Sequence, residues 1–239
     1  ELLFTEPSNA GLDSRLGQFF DSLDALAADP DDIVLRESVV QKAQSLCEVF
    51  HRLDQGLQNL TTTLADGAEY AVGEINALTE RIADLNLQIK LVETGGASAP
   101  TLKDNRDRLI SELAELINVT TYEGEYGVVN VSCAGTLLVS GNQYTPLEVA
   151  TGDDGDMVVS AAEGVGHTVP VREGRLAGIL EVANEVVPGL QDSIDELANS
   201  LRRAVNLVHT TALGAGGRFH TLESENPLRT STPLNALGY

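Results

Sequence analysis

The sequence predicts an α+β protein: an elongated antiparallel helical bundle with long, coiled-coil-like helices and a small inserted antiparallel β domain. Two long apolar patterns with the 3.5-residue period of a coiled-coil seam predict the helices. Between them, apolar and polar side chains alternate at a period of two, which is typical of β-strands. We therefore expect residues 1–118 and 172–212 to form the bundle, residues 119–171 the β domain, and residues 213–239 an irregular tail.

The first two predicted helices carry most of the seam. The first begins near Asp13 or Ser14, either of which could cap it, and the Asp29-Pro30 pair ends it. The second covers residues 32–93, and its apolar positions fall into two runs: Val39, Ala43, Leu46, Phe50, Leu53, Leu57, Leu60 and Leu64, then Ala71, Ile75, Leu78, Ile82, Leu85, Ile89 and Val92. Within each run the spacing alternates between four and three residues, and near Gly67 this alternation is interrupted. The segment is therefore either one helix or two stacked helices. One helix of this length would reach about 90 Å, which predicts a rod-like architecture.

The remaining elements follow from changes of period. A third helix is expected from about Leu102 to Ile117, with Thr101 as its cap. Short strands are expected at residues 129–133, 136–140, 147–150, 157–160 and 168–171, separated by glycine-containing turns. The helical period returns from Leu176 to Val208, where Pro188 should kink or divide the helix.

Composition excludes several classes of protein. The 239 residues include 15 Lys or Arg and 36 Asp or Glu, a formal net charge of −21, which argues against binding nucleic acid. No run of apolar residues is long enough to span a membrane, and no cleavable signal is recognisable at residues 1–4. Residues 119–171 contain no Lys or Arg and seven Asp or Glu, which predicts a solvated outer surface. For Cys47 and Cys133, two free and largely buried thiols are preferred over the alternative of one disulfide bridge.

Several polar groups are candidates for sites of chemistry. Cys47 and His51 lie one helical turn apart but are too few to hold a metal, so packing is the preferred interpretation. The cluster Asp104, Arg106, Asp107 and Arg108 is interpreted as a helix-start charge network or a subunit contact. The other candidates lack partners or the required spacing: His167, His209, His220, the acidic turn 153–156 and the glycine-rich segment 214–217. We predict no catalytic, cofactor-binding or metal-binding residue.

Several local motifs, in their order and spacing, resemble one family. They are Phe19-Phe20 with Pro30 and Arg36, Asn76 with Ile82-Ala83-Asp84-Leu85-Asn86, the segment 104–117, the glycine-containing strands 127–131 and 134–141, Gly174-Arg175-Leu176 with 177–180, and Val205-Asn206-Leu207-Val208-His209. Together they are similar to the flagellar hook-associated protein 1 family over about residues 1–220. The family's coiled-coil core segments at both ends are absent, as in a central fragment. Phe219-His220 stands where the family usually has two phenylalanines, and residues 221–239 match nothing in its pattern.

The resemblance implies a non-enzymatic building block at the junction between the flagellar hook and filament. Its implied partners are other copies of itself, the hook protein, a second hook-associated junction protein and an export chaperone. It implies export through the flagellar type III channel to an extracellular position, with no cofactor, no nucleic acid and no membrane partner. Without the core segments, the chain is expected to remain monomeric in dilute solution.

Two alternatives remain open from the sequence. A host-binding adhesin or a secretion-tip-like protein would need an exposed aromatic patch on the β domain, where only Tyr122, Tyr126 and Tyr144 are available. An enzyme would need a deep pocket with converging polar groups, which no motif in the sequence indicates.

Overall fold

Five α-helices and six β-strands make up the described part of the chain. The structure is a computed structural model that describes residues 11–162 and 168–211, with side chains up to residue 208. The helices are α1 (Leu12–Ala28), α2 (Ile33–Thr94), α3 (Pro100–Leu116), α4 (Gly174–Glu181) and α5 (Val187–Thr211). The strands are β1 (Thr120–Glu123), β2 (Val129–Cys133), β3 (Thr136–Ser140), β4 (Gln143–Tyr144), β5 (Leu147–Thr151) and β6 (Met157–Ala161). The prediction of an α+β fold with long bundled helices and a small antiparallel β region is confirmed.

The long second helix is continuous. α2 runs through Gly67 without interruption for 62 residues, so the two apolar runs belong to one helix. Asp32 starts it: its carboxylate accepts a hydrogen bond of 2.7 Å from the Val34 backbone N–H, which satisfies a donor that the first turn leaves unpaired. The predicted caps of the other helices are wrong. α1 begins after Gly11 and α3 after Ala99, so Asp13, Ser14 and Thr101 lie within first turns and make no side-chain cap.

The chain divides into two compact units. The boundaries fall between Leu60 and Thr61, within α2, and between Pro188 and Gly189, at the start of α5. Of the described residues, the first unit comprises 11–60 and 189–211, and the second comprises 61–162 and 168–188. The described core of the first unit is formed by Phe19, Leu46 and Phe50, with partly buried residues of α1, α2 and α5 around them. Three helices therefore share one small core, and its α2 residues Val39, Ala43, Leu46 and Phe50 belong to the predicted apolar run.

The second unit contains the β-strands and a larger core. β1 to β4 form one antiparallel sheet in that order, and β5 pairs with β6 in a two-stranded sheet. Ile75 and Ile82 of α2 and Leu113 of α3 are fully buried in the same cluster as Val131 and Val139 of the sheet. Helices and strands in this unit therefore share one hydrophobic core. That residues 119–171 form a domain of their own stays a prediction.

The buried face of α2 in the second unit differs from the predicted seam. The sequence assigned Leu78 and Leu85 to it, and both are only partly buried. Thr79 and Asn86, each one position further on, are almost completely buried at 1% and 0% exposure. The buried face of α2 thus includes two polar residues, which a search for apolar periodicity does not detect.

The strands and the last helix also differ in detail from expectation. Four predicted strands correspond to β2, β3, β5 and β6, whereas β1 and β4 were not predicted. The expected strand 168–171 is wrong, because only Thr168 makes a bridge, to Ser160. Pro188 does not divide the last helix: α4 continues through a π-helical turn, Val182–Val186, into α5, and Pro188 is the second residue of α5. A kink at Pro188 stays a prediction. The wider turn accommodates a proline, which has no N–H to donate and crowds the preceding carbonyl.

Candidate functional site

A buried asparagine connects the helices to the four-stranded sheet. The Nδ2 group of Asn86 donates to the carbonyl oxygens of Val129 (2.7 Å) and Gly141 (2.8 Å). Its Oδ1 accepts from the backbone N–H of Val129 (3.1 Å) and from Nη1 of Arg106 (3.1 Å). Both donor hydrogens and both lone pairs of the amide are therefore used, so burial leaves none of its hydrogen-bonding groups unpaired.

Arg106 completes this cluster from α3. Its side chain is buried, and Nη1 also donates to the carbonyl oxygen of Gly127 at 2.6 Å. Its Nε lies 3.5 Å from the carboxylate of Asp107 and has no hydrogen-bond partner. A guanidinium this deeply buried needs such partners, because its charge is costly to remove from water. Arg106 thus holds the 3₁₀ turn Glu125–Gly127 and Asn86 together.

Two further asparagines bind strand residues in the same way. Asn76 of α2 pairs with both backbone groups of Leu147 in β5, at 2.8 Å for each bond. Asn184, in the π-helical turn, pairs with both backbone groups of Met157 in β6, at 2.8 and 2.9 Å. Each amide presents one donor and one acceptor side by side, as a neighbouring strand residue would. The three asparagines therefore act as substitutes for strand neighbours.

The register of the strands explains why these positions need a partner. In the β5–β6 pair, Ala162 N–H donates to Pro146 C=O at 2.9 Å, which makes Leu147 and Ala161 a non-hydrogen-bonded pair. The N–H and C=O of Leu147 therefore point away from β6, where Asn76 meets them. By the same alternation, the groups of Met157 point away from β5, where Asn184 meets them. The asparagines thus pair backbone groups that the short strands leave open.

The residues of the family resemblance now have structural roles in the second unit. Asn76 and Asn86 belong to the quoted α2 motif, and Arg106 to the α3 motif. Arg175 of the Gly174-Arg175-Leu176 motif pairs with Glu74 and lies 6.0 Å from the centre of the Tyr70 ring. Gly174 has a positive φ of 87°, and a Cβ there would lie 2.5 Å from the carbonyl carbon of Leu116. The motifs alone do not reveal these hydrogen bonds, because the partners are distant in sequence.

The charged cluster at the start of α3 does not converge on a site. Arg106 turns inward, whereas Asp104, Asp107 and Arg108 are exposed. Arg108 pairs with Glu112 on its own helix at 2.8 Å. Arg106 binds Asn86 and the Gly127 carbonyl, so it is not part of a charge network at the helix start, and a subunit contact of the exposed members stays a prediction.

The two cysteines are both free, but only one is buried. Cys133 is inaccessible, its Sγ lies 3.7 Å from Oδ1 of Asn118, and burial raises the pKa of its thiol. Cys47 is exposed, so its predicted burial is wrong: it lies one residue beyond the buried position Leu46. His51 is partly buried, and together with Cys47 it lines an open groove of the first unit that is described next. His167, His220, the side chain of His209 and residues 213–239 lie outside what the structure describes.

The first unit has an open apolar groove between α1, α2 and α5. Its volume is about 1000 Å³, and Phe20, Val40 and Val208 are among its lining residues. These three side chains are 51%, 56% and 67% exposed. Large apolar side chains gathered on one surface in this way are typical of an interaction surface. We call this surface the unit-1 groove.

The three tyrosines of the β region do not share one face of the sheet. Tyr144 is the cross-strand partner of Val139, which pairs with Val131 and so with Thr121. Residues in such a row share a face, so Tyr122, next to Thr121, points to the opposite one. β1 and β4 are also the outer strands, about 14 Å apart at the usual strand spacing. The aromatic patch that an adhesin would need is therefore not formed by Tyr122 and Tyr144.

Within residues 11–162 and 168–211, no three His, Cys, Asp or Glu side chains lie together as a metal site would require. None of the described helices combines the length and apolar character needed to cross a membrane.

Comparison with known proteins gives consistent matches. The family described as "Flagellar hook-associated protein FlgK helical domain" matches residues 1–221. "Flagellar hook-associated protein 1" of Escherichia coli is 30% identical over 222 residues, covering 88% of this chain and 40% of that protein. The Bacillus subtilis protein of the same name is 25% identical over 246 residues, covering 91% of this chain and 48% of that protein. The chain thus spans less than half the length of these curated relatives.

A solved structure shares the fold. It is described as the flagellar hook junction protein FlgK from Burkholderia pseudomallei, and it matches with a TM-score of 0.77 at 24% identity. The match covers 87% of this chain and 39% of that one. At this identity the likeness establishes the fold, including the combination of long helices with a small antiparallel β region.

Proposed function

Because this chain belongs to the FlgK helical-domain family of flagellar hook-associated proteins, we propose that it is part of a structural, non-enzymatic protein of the hook–filament junction. The observation that carries the proposal is the family match, which extends over residues 1–221 and so includes both helical segments and the β region. The relatives' names place them at the hook, and a structural neighbour is described as a hook junction protein.

The proposed partners follow from this position. They are other copies of the chain in the junction layer, the hook protein, a second hook-associated junction protein and, before export, a chaperone. The protein would act outside the cell after passing through the flagellar export channel. A protein in such a layer is held by several contacts at once, so each contact can be small. This supports the expectation that the chain is monomeric in dilute solution.

The unit-1 groove is the surface that we propose for contacts between copies in the layer. Its exposed apolar side chains lie on three helices, and most of the residues that line the groove are uncharged, with Glu48 as an exception. Contacts of this kind release water from apolar surface, which is the main driving force of association.

Deletion of the gene tests the proposal at the level of the cell. We expect non-motile cells whose hooks, seen by electron microscopy, carry no filaments, and we expect the intact gene to restore both. Normal filaments in the deleted strain would refute the junction role. A stable closed oligomer of the isolated chain in light scattering would refute assembly by several small contacts.

A surface variant tests the groove separately. Val40→Asp places a charge in the groove at an exposed position, so the purified chain should melt like the wild type while motility falls. Gln41→Asp adds the same charge at the adjacent exposed residue, which does not line the groove, and should leave motility unchanged. Full motility of the Val40→Asp strain would exclude the groove as a contact between copies.

A further inference from the structure

The outer edge of β1 leaves backbone groups open. β1 is an outer strand of the four-stranded sheet, and its four residues are all exposed. Gly124 N–H donates to Val128 C=O at 2.7 Å, which makes Glu123 and Val129 a non-hydrogen-bonded pair. Because such pairs alternate along an antiparallel ladder, Thr121 and Val131 form another. The N–H and C=O groups of Thr121 and Glu123 therefore point away from the sheet.

This edge differs from the outward positions at Leu147 and Met157. The outward groups of Leu147 and Met157 are each bound by an asparagine, Asn76 or Asn184. Among residues 11–162 and 168–211, no residue pairs with the outward groups of Thr121 or Glu123. An exposed strand edge with free backbone groups is the structure that accepts an added strand.

The negative charge near β1 indicates what kind of partner this edge can bind. Glu123 lies in β1 and Glu125 follows it, within a segment of 53 residues (119–171) that contains no Lys or Arg. Pairing with the same edge of a second copy would bring these carboxylates together, which is unfavourable. A strand carrying Lys or Arg would instead be attracted, both locally and by the net charge of −21.

We propose that the outer edge of β1 binds an extended segment of a partner protein that carries Lys or Arg at alternating positions. The partner's backbone pairs with Thr121 and Glu123, and its basic side chains lie near Glu123 and Glu125. The ring of Tyr122, 55% exposed, offers apolar contact on the other face of the strand. This interaction goes beyond the junction role, and its test on the isolated chain can fail without affecting that role.

A short peptide provides the probe. A capped hexapeptide of alternating Lys and Thr, titrated at low salt, should shift the amide NMR signals of Thr121 and Glu123. The same peptide with Glu in place of Lys should not bind. A version with N-methyl groups on the alternate amides that would face β1 should bind at least about tenfold more weakly, since it cannot donate to the edge.

A matched pair of variants locates the edge. Thr121→Pro removes an outward N–H together with the threonine side chain, which an edge strand tolerates, and should weaken peptide binding about tenfold. Thr121→Ala removes the side chain and keeps the N–H, and should bind within about twofold of wild type. Equal binding of the N-methylated peptide, unchanged binding to Thr121→Pro, or signal shifts confined to other residues would each overturn the proposal. The N-methylated peptide decides the question even where Thr121→Pro fails to fold.

Discussion

Asn86 and Val129 are joined by two hydrogen bonds through the side chain of one and the backbone of the other. The amide of Asn86 donates to Val129 C=O at 2.7 Å and accepts from Val129 N–H at 3.1 Å. The two residues are 43 positions apart, one on α2 and one at the start of β2. The sheet is thus attached to the long helix by polar pairing as well as by apolar packing.

Replacement of Asn86 should therefore be costly. Asn86→Ala leaves both backbone groups of Val129, the carbonyl of Gly141 and one Arg106 contact unpaired in a buried site, so we expect a loss of about 3 kcal/mol in unfolding free energy. Asn76→Ala, at a half-buried site with two bonds, should lose about 1 kcal/mol. Urea unfolding followed by circular dichroism measures both. Equal losses of unfolding free energy in the two variants would show that the number of hydrogen bonds made by the asparagine does not determine its contribution to stability.

Gly174 should tolerate no side chain. Its φ of 87° is unfavourable for other residues, and an added Cβ would lie 2.5 Å from the backbone carbonyl of Leu116. We expect Gly174→Ala to destabilise the protein by about 3 kcal/mol or more, seen as a lower melting temperature. Gly178→Ala is the control, because that glycine lies within α4 with open space around it. It should stabilise by about 0.5–1 kcal/mol, and a similar loss in both variants would contradict this reasoning.

The two cysteines should react at very different rates. Exposed Cys47 should be labelled at once by a thiol reagent, whereas Cys133 should be labelled only after unfolding. Since burial raises the pKa of Cys133 above its ordinary value of 9.0, folding favours the neutral thiol. The associated stability is complete below the unfolded pKa and is lost as the pH rises above it.

A cysteine-to-serine variant separates the two labelling phases. Cys47→Ser should abolish the fast phase and leave the slow one unchanged. Rapid labelling of Cys133 in that variant under native conditions would show that the sheet opens readily.

Removal of the β region should disrupt the second unit. Excision of residues 119–171 with a short linker would expose Ile75, Ile82 and Leu113, which are fully buried in a core shared with the strands. We expect lower helical content and binding of a hydrophobic dye. Asp153→Ser with Asp154→Ser, in an exposed turn, is the control and should change neither. An excised protein with an unchanged melting temperature would instead support an independently folded β domain.

The features that repeat along the chain were predictable from sequence. The 3.5-residue period predicted α2, and alternation predicted β2, β3, β5 and β6, because burial of one face imposes these periods. The family resemblance rested on motifs whose order is visible in one dimension, and it is confirmed by the match over residues 1–221.

Features that depend on a single distant partner were not predictable. β1 and β4 have weak patterns of their own and exist through pairing with β2 and β3. Asn86 and Arg106 have the character of surface residues in the sequence, since polar side chains are buried only when specific partners reach them.

The sequence alone determined the periods of the apolar patterns, and so the identity and order of the main helices and strands. Only the tertiary structure decided which polar side chains are buried in the core. The difference is physical: apolar burial is non-directional and follows from local periodicity. A buried amide such as Asn86 requires donors and acceptors at set distances, and these come from residues as far away as Gly141.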